Sequence, residues 1–91
     1  MKSVTIEDIE GKISKTEFFH YKKQITVCFL TLKSGFIVTG FSGTIDKENF
    51  SEETGEKYAR ENAIDRLWGM VAFQRVEDDY LFAIANGRLD I

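Results

Sequence analysis

The run Ile25-Thr26-Val27-Cys28-Phe29-Leu30-Thr31-Leu32 constrains this chain more than any other stretch. Its two alternating sets, Ile25, Val27 and Phe29 on one side and Cys28, Leu30 and Leu32 on the other, are both largely apolar. The pattern predicts a central strand covered on both faces. Lys33-Ser34-Gly35 follows as a tight-turn signal, and Phe36-Ile37-Val38-Thr39-Gly40-Phe41 returns antiparallel, so a β-hairpin is expected. Gly40 and Gly43 bracket the end of that strand, which suggests a bulge or a close approach of backbone.

Around the hairpin the periodicity changes. Thr5 and Asp8 form a capping-box-like pair ahead of Ile6, Ile9 and Ile13, one apolar stripe at helical spacing. Residues 14–21 mix Thr, Phe and Tyr with charges and suit a strand with one exposed face. Residues 46–50 form a turn, and a long helix is expected from about Ser51. Ala59, Ala63, Ile64, Leu67, Met70 and Val71 cover one broad face of it, and Tyr58, Glu61, Asn62, Asp65 and Arg66 the other. Trp68-Gly69 is expected to break or kink the helix before a second helical stretch that closes at Asn86-Gly87. The expected fold is α+β in a single domain over residues 1–91. It comprises a short N-terminal helix, an antiparallel sheet of three or more strands around a central β-hairpin, and a long C-terminal helix packed on the sheet.

Composition removes several classes of function. A chain of 91 residues at 43% hydrophobic and 30% charged is globular but small, so its core is marginal for a lone domain. Net charge is -3 and the pI about 5.1, against the basic stripe that nonspecific DNA or RNA binding needs. No apolar run reaches membrane-spanning length and no signal peptide is evident, so neither membrane insertion nor secretion is expected. One cysteine, Cys28, suits a reducing cytoplasm, and one His with one Cys excludes a zinc site built from those ligands alone. No metal or cofactor is expected.

Few positions carry chemistry. Arg60 falls on the apolar face of the long helix, where a guanidinium needs a partner. It either pairs with Glu56 one turn earlier, shared with Asp46, or lines a pocket between hairpin and helix and meets an anion. Asn62 and Arg66 lie one turn apart and, with Tyr58, offer an amide, a guanidinium fork and a phenol. That set suits phosphate, ribose and a base edge, and a solvated helix face has the same composition. Asp46-Lys47-Glu48-Asn49-Phe50 is rich in side-chain oxygens, as turns and helix caps are, without the spacing of a calcium loop. Phe50 either staples the helix start to the sheet or stacks on a base. His20 has no acidic neighbour at a telling spacing, Cys28 is expected buried, and Glu52, Glu53 and Glu56 suit the positive end of a helix dipole. No nucleophile, base and oxyanion site assemble, so no enzyme is expected.

Three blocks carry a resemblance: Thr31-Leu32-Lys33-Ser34-Gly35-Phe36-Ile37-Val38-Thr39-Gly40, Ile45-Asp46-Lys47-Glu48-Asn49-Phe50, and Ala59-Arg60-Glu61-Asn62-Ala63 running to Leu67-Trp68. In this order they resemble a small tailed-phage family of the gene 49 / gene 66 type, over about residues 4–73, with a divergent tail at 76–91. Ser34, Phe41, Lys47 and Gly69 depart from the family pattern, which has Asn, Glu, Pro and Pro there. Phe41 bears most on what the strand end contacts. The resemblance implies an anti-defence sponge of the kind that disarms Thoeris immunity. Such a protein holds a cyclic ADP-ribose signal, or a cyclic oligonucleotide, without turnover in the host bacterial cytoplasm. It also implies a homodimer or higher homo-oligomer with the pocket at a subunit edge, and Asn49, Phe50, Arg60, Asn62 and Arg66 as ligand contacts. A protein-interaction module docking on a host protein is the alternative, and a nucleotide-acting enzyme a third reading.

Overall fold

The computed structural model describes residues 4–87. Helix α1 (Ile6–Glu10) is followed by strands β1 (Ile13–Tyr21), β2 (Ile25–Leu32) and β3 (Ile37–Gly43), a 3-10 turn at Lys47–Asn49, and helix α2 (Glu52–Ala85). The strands form one antiparallel sheet in the order β1-β2-β3, so the most apolar strand is central. Gly35 takes a φ of 93° in the β2–β3 turn, a conformation that favours glycine. The architecture is the α+β fold expected above.

Local chemistry accounts for the helix ends. Thr5 Oγ1 accepts from the Asp8 N–H at 3.2 Å while Asp8 Oδ2 accepts from the Thr5 N–H at 3.0 Å, a closed capping box. The carboxyl of Asp8 is held below its ordinary range, chiefly by that backbone hydrogen bond. Ser51 caps α2, its hydroxyl accepting from the Thr54 N–H at 3.3 Å.

The core lies between one face of the sheet and α2. Ile9, Cys28, Leu30, Val38, Ala59, Ala63, Leu67 and Val71 are buried there. The approach is closest at Gly40, where a Cβ would overlap the backbone of Ala63. The close approach suggested at the strand end is therefore at Gly40, while a Cβ on Gly43 would meet Gln24 O at an ordinary 3.6 Å.

Three expectations are corrected. The strand β2 is central but covered on one face only. Thr26, Cys28 and Leu30 turn to α2, whereas the opposite face carries Phe19, Tyr21, Ile25, Ile37 and Phe41, all between 43% and 57% exposed. One long helix suffices for one face, and α1 packs on α2 rather than crossing the sheet. Second, α2 runs unbroken through Trp68-Gly69 for 34 residues. Gly69 has nothing within 4 Å of its Cβ position, so it costs helix propensity without forcing a kink, and no proline follows it. Third, Met70 is exposed although Val71 beside it is buried. At 1.5 Å per residue α2 is about 50 Å long, against about 25–30 Å for the strands. Its C-terminal part therefore runs past the sheet. The molecule measures 60 × 23 × 18 Å with a radius of gyration of 17.4 Å, where a compact chain of this length has about 12 Å.

Candidate functional site

The approach at Gly40 fixes the register of α2 along β3, the edge strand, and so decides which helix residues meet that strand. Asn62 Oδ1 accepts from the Phe41 N–H at 3.0 Å. One turn later, Arg66 donates to Thr39 O at 3.4 Å, and its guanidinium lies over the Phe41 ring at 4.8 Å from the centroid. The two side chains thus occupy two backbone groups on the free edge of β3, Phe41 N–H and Thr39 O, which hinders pairing of that stretch with another chain.

Tyr58 lies one turn before Asn62 and opens onto a groove of about 250 Å³. Ser42 and Thr44 from the end of β3, with Asn49, Phe50 and Gly55, also line this groove. Gly55 lets the start of α2 close onto β2, since a Cβ there would come within 2.5 Å of Thr26 Oγ1. Asn49 itself is tied into the turn, its Nδ2 donating to Asp46 Oδ2 at 2.6 Å. Phe50 is half-buried and meets His20 edge-to-face at 5.9 Å, the stapling contact suggested from sequence. Tyr58, Asn62 and Arg66 therefore follow one another along α2 beside β3, while Asn49 and Phe50 line the groove at its end and Phe50 reaches His20 of β1.

Arg60 points elsewhere. Its guanidinium makes a bidentate pair with Glu10 of α1, at 3.0 and 2.8 Å. This replaces the pairing with Glu56 and Asp46 considered from sequence, and the groove it borders runs between α1 and α2, not between hairpin and helix. Hydrogen bonds from Arg60 hold the Glu10 carboxyl below its ordinary range, and the same bonds raise the Arg60 pKa.

His20 is the residue whose setting the sequence did not disclose. Nδ1 lies 2.9 Å from Thr26 Oγ1 and Nε2 2.7 Å from Glu56 Oε2. The partner Glu56 is 36 residues away, on the first turns of α2, so no local spacing could show it. A hydroxyl, an imidazole and a carboxylate in line resemble a hydrolytic triad. Thr26 is 1% exposed beneath α2, however, and no substrate carbonyl reaches its hydroxyl. Glu52 adds a third group, so that His20, Glu52 and Glu56 each bring a metal-ligating atom within 4.8 Å of the others. The imidazole Nε2 and Glu56 already hydrogen-bond directly at 2.7 Å. Cys28 is buried, and desolvation pushes its thiol pKa up, away from nucleophilic use.

Among the described residues, no helix is long and apolar enough to cross a membrane. The family model described as "Phage protein (N4 Gp49/phage Sf6 gene 66) family" matches residues 4–78. No curated protein and no solved structure gives a match.

Proposed function

The chain belongs to this phage protein family, and from that premise we propose that it is an anti-defence binding protein. It captures a cyclic nucleotide immune signal of the cyclic ADP-ribose type, or a cyclic oligonucleotide, in the host bacterial cytoplasm and holds it unchanged. The observation that carries the reading is the row of Tyr58, Asn62 and Arg66 on one face of α2 beside β3, with Phe50 across the groove from Tyr58. Two aromatic faces, an amide and a guanidinium suit a base, a ribose and a phosphate in that kind of sequence. The acidic pI is no obstacle, because a pyrophosphate needs a few aimed donors rather than a basic surface. Arg60 reaches such a ligand only by leaving Glu10, so it ranks behind the β3-side residues.

A groove of about 250 Å³ is small for this ligand, since enclosing sites usually have about 300–1,000 Å³. We therefore assign the missing wall to a second copy of the chain, in a homodimer or larger homo-oligomer. The open apolar face of the sheet supports such an assembly. The same face favours the second reading, a module that docks on a host protein.

Isothermal titration with cyclic ADP-ribose tests the proposal. Wild-type protein should bind, and Arg66→Ala should weaken binding at least about tenfold, the loss of one charge-assisted contact. Absence of heat with every cyclic nucleotide tried, together with a host protein retained in pull-down, would replace the sponge by the interaction module.

A further inference from the structure

A further concavity lies at the other end of the sheet from Phe50 and Tyr58. It is a groove of about 600 Å³ between the β2–β3 turn and the middle of α2. Its walls are Leu32, Phe36, Leu67, Met70 and Val71, and four polar side chains stand around them: Lys12, Lys33, Ser34 and Gln74. None of the residues that the sequence offered as ligand contacts lies here.

The two lysines are placed by the backbone. The Lys33 N–H donates to Lys12 O at 2.9 Å, which ties the α1–β1 link to the end of β2 and sets both side chains at one groove. Among the described residues, neither ammonium takes part in an ion pair or a side-chain hydrogen bond. The charge of Lys12 still reaches Asp8, whose carboxyl it helps to hold down, and Asp78 shares a smaller neighbouring groove with it, so Lys33 is the less compensated of the two cations beside this apolar cavity. Apolar walls that exclude water strengthen whatever attraction the two ammonium groups exert on an anion.

We infer that this groove is a second binding site, for a small organic anion with an apolar body and one phosphate or carboxylate. The body lies against Phe36, Leu67 and Met70, and the acid group meets Lys12 and Lys33, with Ser34 and Gln74 as neutral donors. The volume falls within the range of small-molecule sites, and adaptable Met70 suits ligands of varied outline. The inference is independent of the nucleotide reading, which concerns the β3 side.

The probe is 1-naphthyl phosphate, followed by amide chemical shifts of the full chain. Shifts are expected at Lys12, Lys33, Ser34, Val71 and Gln74. The uncharged 1-naphthol should bind at least about fivefold more weakly, as should 1-naphthyl phosphate to Lys12→Gln/Lys33→Gln. Both lysines are exposed, and the unchanged spectrum of the free variant verifies its fold. Equal affinity for the phenol and the phosphate would overturn the inference. So would undiminished binding to the double variant, or shifts gathered at Phe19 and Phe41 on the open sheet face. Shifts confined to Tyr58, Asn62 and Arg66 would also overturn it and assign the probe to the β3 side.

Discussion

Gly40 is where a single atom decides the packing. Adding a methyl group there drives a side chain into the Ala63 backbone, which cannot turn aside as a flexible side chain can. Gly40→Ala should therefore destabilise the protein by about 3 kcal/mol, at the upper end of overpacking. Urea denaturation measures it, and a neutral result would mean the helix does not approach this closely. The Glu10–Arg60 pair makes a milder claim. The Glu10 carboxyl has a lower pKa folded than unfolded, so its contribution is complete above the unfolded value and is lost as pH falls through the folded one. Melting temperature should fall between about pH 5 and 3, and Glu10→Gln should flatten that fall. With side chains 35% and 43% exposed, the pair contributes about 1 kcal/mol or less. Thr5 and Asp8, three residues apart, were legible in the sequence because capping is local. His20 was not, since its carboxylate partner arrives through the tertiary fold. Arg60 was half legible: its position demanded an acid, and the sequence offered Glu56 while the fold supplied Glu10.

At the scale of elements, alternation and turn chemistry gave the hairpin, because both act over a few residues. The helix was harder. Trp68-Gly69 resembles a stop, yet a lone exposed glycine subtracts only propensity, and the hydrophobic contacts of Leu67 and Val71 on either side carry α2 through. Gly69→Ala should accordingly stabilise the protein by about 1 kcal/mol, read as a higher melting temperature. A destabilising result would reveal a bend that needs glycine. The β1–β2 turn holds the opposite situation. Lys22 and Lys23 have φ values of 51° and 53°, in the left-handed region that glycine and asparagine tolerate best. Lys23→Gly should raise stability by up to about 1 kcal/mol, because relief of strain there outweighs the added freedom of the unfolded chain.

Across the whole molecule, the sequence announced a strand apolar on both faces, and one chain covers only one of them. The remaining face, the length of α2 beyond the sheet and the elongated shape would all be accounted for by the assembly proposed above, burial against a further copy. Light scattering should give at least a dimer mass, and Phe19→Asp should lower it; a monomer at all concentrations would remove the second wall proposed for the ligand. Tyr58, Asn62 and Arg66 were legible as polar residue types on one helix face, but their placement beside β3 was not, because that depends on where Gly40 seats the helix. The central claim is capture without chemistry. Incubate the protein with cyclic ADP-ribose, remove free ligand, denature the protein and weigh what is released. Intact cyclic ADP-ribose in stoichiometric amount is the predicted result; a hydrolysed or otherwise altered product, or no ligand at all, would contradict the account.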